Sequence, residues 1–282
     1  MVPVITSVSR LSEKADAWIC DVWGVLHNGK TAYVSAADAC RQFRSQGGTV
    51  ILVTNAPYPA REVMQRLDQL GIGSDAWDGI VTSGDVARAL IDSLEPQPLL
   101  HLGPDRMLGM LAGIEQRLVP ADDAGLVICT GLHDDERESP DDYRPMLEHL
   151  ARRKVPLICA NPDVMVERGN RLLPCAGALA QIYAQLGGKV TYTGKPYPPI
   201  YERAIAMIGQ HRNSPIDRQR LLAIGDGLRT DMAGAQKNNL QAVYIASALH
   251  VAEGRTVDAA LMAELFGTSA HPPVAAMARL AW

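Results

Sequence analysis

The chain has 282 residues, 47% of them hydrophobic and 21% charged, with a formal net charge of −4. This is enough apolar material for one large domain or two modest ones with a real core, and the charge excludes the basic field of a nucleic-acid binder. No apolar run approaches the roughly 20 residues that cross a bilayer and no cationic start with an apolar stretch marks a signal peptide. The five cysteines form neither a CxxC pair nor a zinc-spaced cluster, which points to reduced thiols in a cytoplasmic protein.

In chain order, AWIC (17–20) reads as a strand buried on both faces; it stops at an acid, Asp21, and turns through Gly24 and Gly29. A helix is expected over SAADACRQFRSQG (35–47), a strand over TVILVT (49–54) and a second helix over YPAREVMQRLDQLG (58–71), each helix ending at a Gly suited to a C-cap. The rhythm then repeats within the middle of the chain. PLLHLG (98–103), GLVICTG (125–131) and VPLICANP (155–162) are expected strands. SPDDYRPMLEHLARRK (139–154) and CAGALAQIYAQLGG (175–188) are expected helices, and HDDERESPDD (133–142) is a polar loop. The main sheet is expected to resume at KVTYTGKP (189–196) and to continue with LLAIG (221–225) and AVYIA (242–246). The Ala-rich stretch 250–282 reads as helical and as ordinary core against the sheet. The alternation predicts an α/β fold: a doubly wound, Rossmann-like parallel sheet built from 1–84 and 188–282, with an α/β domain inserted over 85–187.

Ligands of open parallel sheets bind beyond the carboxyl ends of the strands. After the first strand stands Asp21; after the second, Thr54 and Asn55; after VTYTG, Lys195; after LLAIG, Asp226, with Asp231 five residues on. A hard metal ion wants carboxylate oxygens, and a phosphoryl group wants an amine, a hydroxyl and backbone N–H donors. Singly, each residue has a structural explanation. An acid after a strand caps a helix, Thr and Asn terminate strands in turns, and a Lys before a Pro is a solvated charge. The set at one sheet edge is what those explanations do not account for.

Asp21, Thr54, Lys195 and the Asp226/Asp231 pair, in this order, resemble the four motifs of the haloacid dehalogenase superfamily. The insertion between the Thr and Lys motifs resembles the class IIA cap of the nitrophenyl-phosphatase and nucleotide-monophosphatase group. TNAP after the second strand, NPD at Asn161–Asp163, and CAGALAQIY leading to TGKP extend the likeness from about Asp21 to about Ser247. The resemblance implies a phosphohydrolase acting on a small phosphomonoester, such as a sugar phosphate or a nucleotide monophosphate. Asp21 would be the nucleophile, and Mg²⁺ would be held by Asp21, Asp226, the backbone carbonyl of Trp23 and, directly or through water, Asp231. Thr54, the Asn55 backbone and Lys195 would hold the phosphoryl oxygens. Asn161 and Asp163 are candidate contacts for the rest of the substrate; a Pro-stabilised turn explains them equally well. By the same analogy, a homodimer through the cap is expected.

One position departs from the pattern. The family carries a second Asp two residues after the nucleophile, as acid and base for the leaving oxygen and the attacking water; here that residue is Trp23. An indole has one N–H donor and no pKa near neutrality. General acid–base help is worth about 10²–10⁴ in rate, so three outcomes stand open. Only good leaving groups are cleaved; or another group substitutes, His27 being the nearest that titrates; or the site binds a phosphorylated ligand with little turnover. Other classes lack their signatures. No GxGxxG follows the first strand, TGKP has Pro where a P-loop needs Ser or Thr, and no GxSxG occurs.

Overall fold

The fold is taken from a computed structural model, which describes residues 1–168, 171–246 and 255–282. Along the chain run α1 (Ser9–Ser12), β1 (Ala17–Asp21), α2 (Val34–Ser45), β2 (Thr49–Thr54), α3 (Ala60–Gln69), β3 (Gly79–Thr82) and α4 (Ser83–Ser93). Then come β4 (Leu99–Leu102), β5 (Leu126–Cys129), α5 (Arg144–Arg152), β6 (Leu157–Cys159), β7 (Met165–Arg168), β8 (Arg171–Pro174), α6 (Ala176–Gln185) and β9 (Val190–Tyr192). The last part holds α7 (Pro198–Arg212), β10 (Leu221–Gly225), α8 (Ala233–Lys237), β11 (Gln241–Ile245), α9 (Ala259–Phe266) and β12 (Ala275–Met277). The chain divides into two compact units, one of Met1–Thr54, Met64–Val81 and Tyr201–Trp282, the other of Asn55–Val63 and Thr82–Ile200.

The first unit is built on a six-stranded sheet in the order β12-β11-β10-β1-β2-β3. Its centre, β1, pairs in parallel with β10 on one side and β2 on the other. All five residues of β1 and all six of β2 are buried, as strands covered on both faces must be. Helix α2 turns Ala36, Ala39, Cys40 and Phe43 inward, the i, i+3, i+4, i+7 spacing of one helix face. Phe43 stacks on Trp18 of β1 with ring centroids 4.3 Å apart and planes 8° from parallel, and Trp282, the last residue, leans on both.

The second unit has its own parallel sheet, β4-β5-β6-β9, and a separate antiparallel hairpin, β7-β8. Alternation along β5 splits the core between two faces. Val127 and Cys129 join Leu147 and Leu150 of α5 and Leu179 and Tyr183 of α6, while Leu126 and Ile128 join Ala87 and Ile91 of α4.

Two expectations are corrected. The segment 189–196 does not resume the main sheet: Val190–Tyr192 pairs with β6, in parallel, in the second unit's sheet. It follows α6, which follows β6, and a strand–helix–strand crossover lays the new strand beside its predecessor. The C-terminal stretch is not simply helical core. Residues 250–254 lie outside the described residues; beyond them α9, capped by the Asp258 carboxylate on the Leu261 N–H at 2.9 Å, is followed by the edge strand β12 against β11. Alanine favours helix locally, and only the open edge of β11 makes Ala275–Met277 extended. Strand β3, helices α4 and α7 and the hairpin β7-β8 were not foreseen in the sequence. No helix among the described residues is long and apolar enough to cross a membrane.

Candidate active site

The first unit brings three carboxylates together at the carboxyl edge of its sheet. Cys20 pairs with Ile224 in the β1–β10 register, so Asp21, which ends β1, and Asp226, which follows β10, emerge side by side. Asp231 lies in a π-helical turn, Leu228–Met232, that leads into α8; such turns carry one residue more than an α-helical turn and recur at functional sites. One oxygen from each of Asp21, Asp226 and Asp231 falls within 4.8 Å of the others, and no other such trio occurs among the described residues. Their exposures are 7%, 4% and 5%.

Backbone and hydroxyl donors set Asp21 and Asp231 in place. The Val22 N–H donates to Asp21 Oδ1 at 2.7 Å. The Gly227 N–H and the Thr230 hydroxyl donate to Asp231 Oδ2 at 3.1 and 3.2 Å. Gly24 has φ of +87°, and a Cβ there would stand 1.9 Å from Asp226 Oδ2; this left-handed, crowded position admits glycine alone. Thr54, also buried, ends β2 one residue beyond Val53, the register partner of Asp21, and so belongs to the same edge.

Three buried anions at this spacing suit a cation. At an effective dielectric of about 20, two unit charges 4.8 Å apart repel by roughly 3.5 kcal/mol, and water is largely excluded from screening them. An all-oxygen set is the chemistry of a hard divalent ion such as Mg²⁺, and the glycine at position 24 keeps the space beside Asp226 clear of side chain. Asp21, Asp226 and Asp231 therefore fit such an ion.

The loop after Asp21 folds on itself. The Gly24 N–H donates to the His27 carbonyl at 2.7 Å, and the Gly29 N–H donates to His27 Nδ1 at 2.8 Å. His27 is buried; burial, with some help from Arg66, pushes its pKa down to about 4, so the ring is neutral at pH 7 with Nδ1 acting as acceptor. Trp23 is half-buried, and its indole nitrogen lies 3.3 Å from where a side chain on Gly29 would begin.

The other predicted residues form a bonded group in the second unit. Asn55 Oδ1 accepts the Lys195 N–H at 2.6 Å. Its Nδ2 donates to the Lys195 carbonyl at 3.2 Å and to Asp163 Oδ1 at 2.9 Å. Asn161 Oδ1 accepts the Asp163 N–H at 3.1 Å. Lys195 is 3% exposed. A Cβ on Gly194 would lie 2.4 Å from Asn55 Oδ1 and 2.6 Å from Pro162, so the glycine of TGKP is what lets the lysine backbone reach the asparagine. Sequence reasoning singled out the lysine and overlooked this glycine; the overlooked signal was a glycine directly before a buried charge. Gly24 stood out only as a turn residue, and Thr230 not at all.

Comparison with known proteins agrees with this architecture. Two family models match the chain, one for haloacid dehalogenase-like hydrolases over residues 18–115 and one for a related hydrolase-like family over 192–263. A crystal structure of a haloacid dehalogenase-like hydrolase from Brucella suis 1330 is 46% identical, with a TM-score of 0.82, covering 87% of this chain and 94% of that one. A 4-nitrophenylphosphatase of Schizosaccharomyces pombe is 23% identical over 81% of this chain and 82% of its own. An acid sugar phosphatase of Staphylococcus aureus is 24% identical over 84% and 88%. The chain belongs to the haloacid dehalogenase-like family of hydrolases.

Proposed function

We propose that this protein is a divalent-metal-dependent phosphohydrolase that cleaves a small phosphomonoester through a phosphoryl group carried on Asp21. The observation that carries the reading is the buried trio Asp21, Asp226 and Asp231 at the end of the central strands. The phosphatase names of its relatives point to the same reaction class. Asp21, held at Oδ1 by the Val22 N–H, attacks phosphorus; the ester oxygen leaves; water then attacks the phosphoryl-aspartate and restores the carboxylate. Asp21, Asp226, Asp231 and the Trp23 carbonyl would hold Mg²⁺, which supplies neutralisation of phosphoryl charge when bound. Thr54, the Asn55 backbone and Lys195 take the phosphoryl oxygens. The Asn55 side chain, committed to Lys195 and Asp163, positions the lysine backbone rather than the substrate. Asn161 and Asp163 serve the remainder of the ligand, and the protein works in the cytoplasm as a homodimer joined through the inserted domain.

The test is hydrolysis of nitrophenyl phosphate with added Mg²⁺, with the chelated protein and with Asp21→Asn. Activity should require the metal and fall by at least about 10³-fold in the variant, with the circular-dichroism spectrum unchanged. An Asp21→Asn protein as active as the native one would remove Asp21 as nucleophile. Trp23 favours a second reading, a phosphate-ligand binder of low turnover. Tight calorimetric binding of phosphorylated ligands with no hydrolysis by either the native chain or Trp23→Asp would select it.

A further inference from the structure

The loop that carries the nucleophile, Val22 to Gly29, contains no carboxylic acid to give the leaving oxygen a proton. From Val22 to Gly29 the one side chain that titrates near neutrality is His27. Its Nδ1 is taken by the Gly29 N–H at 2.8 Å and its ring is buried. Trp23 has its indole nitrogen turned toward the loop's own backbone at Gly29. The loop has little freedom to rearrange. Leu26 N–H donates to Val22 O at 2.9 Å, Tyr33 N–H to Leu26 O at 2.7 Å, and Arg66 Nη2 to Gly29 O at 2.5 Å. Among the described residues, the carboxylates gathered with Asp21 at this edge are Asp226 and Asp231, its partners in the trio.

Building on the phosphohydrolase reading, we infer that the site selects its substrate by leaving group. It takes esters whose oxygen departs as a stabilised anion, namely aryl, enol or acyl phosphates, and discriminates against alkyl phosphates such as sugar phosphates. In the first step an Asp21 oxygen forms a bond to phosphorus as the bond from phosphorus to the leaving oxygen breaks. That oxygen keeps the electron pair and takes its proton from solvent afterwards. A phenolate or carboxylate accommodates this; an alkoxide, far more basic, does not. In the second step water adds to phosphorus, the bond to Asp21 breaks with its electron pair returning to the carboxylate, and the proton passes to solvent or to the released phosphate. With no carboxylate base in the loop this step is slow, so the phosphoryl-aspartate accumulates when the first step is fast.

The experiment uses the full chain with Mg²⁺ and a series of substituted phenyl phosphates together with glycerol phosphate and glucose 6-phosphate. The expected result is a kcat/KM that climbs steeply as the leaving group becomes more acidic. A pre-steady-state burst of nitrophenolate near one equivalent per chain should accompany it, with a phosphorylated Asp21 peptide in acid-quenched samples. In Trp23→Asp the ratio of alkyl to aryl kcat/KM should rise at least tenfold, toward the roughly 10²–10⁴ that an acid contributes. Flat dependence on the leaving group with hydrolysis intact overturns this inference alone, because it places the acid elsewhere in the protein. No hydrolysis of any ester, and no burst, overturns the phosphohydrolase reading and this inference with it.

Discussion

Asp226 shows how far a single side chain is set by its neighbours. It is buried, it follows a strand end, and a glycine at position 24 is the only residue that leaves it room. One of its oxygens lies within 4.8 Å of oxygens of Asp21 and Asp231, so Asp226→Asn should lose the rise in melting temperature that Mg²⁺ gives the native chain by binding the folded state. Calorimetric melts with chelator and with millimolar Mg²⁺ check this; a metal-induced rise of equal size in the variant would remove Asp226 from the metal site.

At the level of elements, the strand ends hold the chemistry because helices hold the strands. The stack of Trp18 on Phe43 ties the middle of β1 to α2, and Trp282 closes the cluster from the chain terminus. Phe43→Ala is expected to cost about 3–5 kcal/mol, the usual penalty for emptying a buried phenylalanine site, measured as a lowered urea midpoint. Because β1 ends at Asp21, the same variant should weaken Mg²⁺ binding even though Phe43 touches none of the carboxylates. Helices α2, α3, α5 and α6 were legible in the sequence, α2 with Ala36, Ala39, Cys40 and Phe43 on one face; α4 and α7 were not. The strand β12 was not: Ala275–Met277 has no periodicity of its own, and its extended shape comes from pairing with β11.

Across the whole molecule, stability should respond to pH through histidines buried in the neutral form. His101, on β4, is bonded through Nε2 to the Thr130 hydroxyl at 2.8 Å. Burial pushes its pKa down to about 4, with a smaller push in the same direction from His133 and an opposing pull from Asp105. The unfolded chain takes up a proton near pH 6.5 and the folded one only near 4. Between these values the unfolded state binds more protons, so stability falls as the pH is lowered through that window. The loss from His101 between pH 7 and pH 5 is about 2 kcal/mol. It should appear as the difference between the urea midpoints of the native protein and His101→Gln, followed over that range; parallel curves would refute it.

The sequence by itself determined the residue types, their order and most of the elements. Apolar runs such as Ala17–Cys20 and Leu221–Gly225 became the strands expected of them, Asp21 and Asp226 stand just where those two runs end, and Asp231 follows five residues after Asp226. These features are local, and local propensity and burial pattern encode them. Which strands become neighbours is a different matter. That Val190–Tyr192 joins β6 rather than the larger sheet, that the Asn55 side chain grips the Lys195 backbone, and that Gly24 makes room for Asp226 all depend on contacts between segments far apart in the chain. The tertiary structure alone decided them, because pairing energy is gained only once distant parts of the polypeptide have closed on one another, and no window of sequence contains both partners.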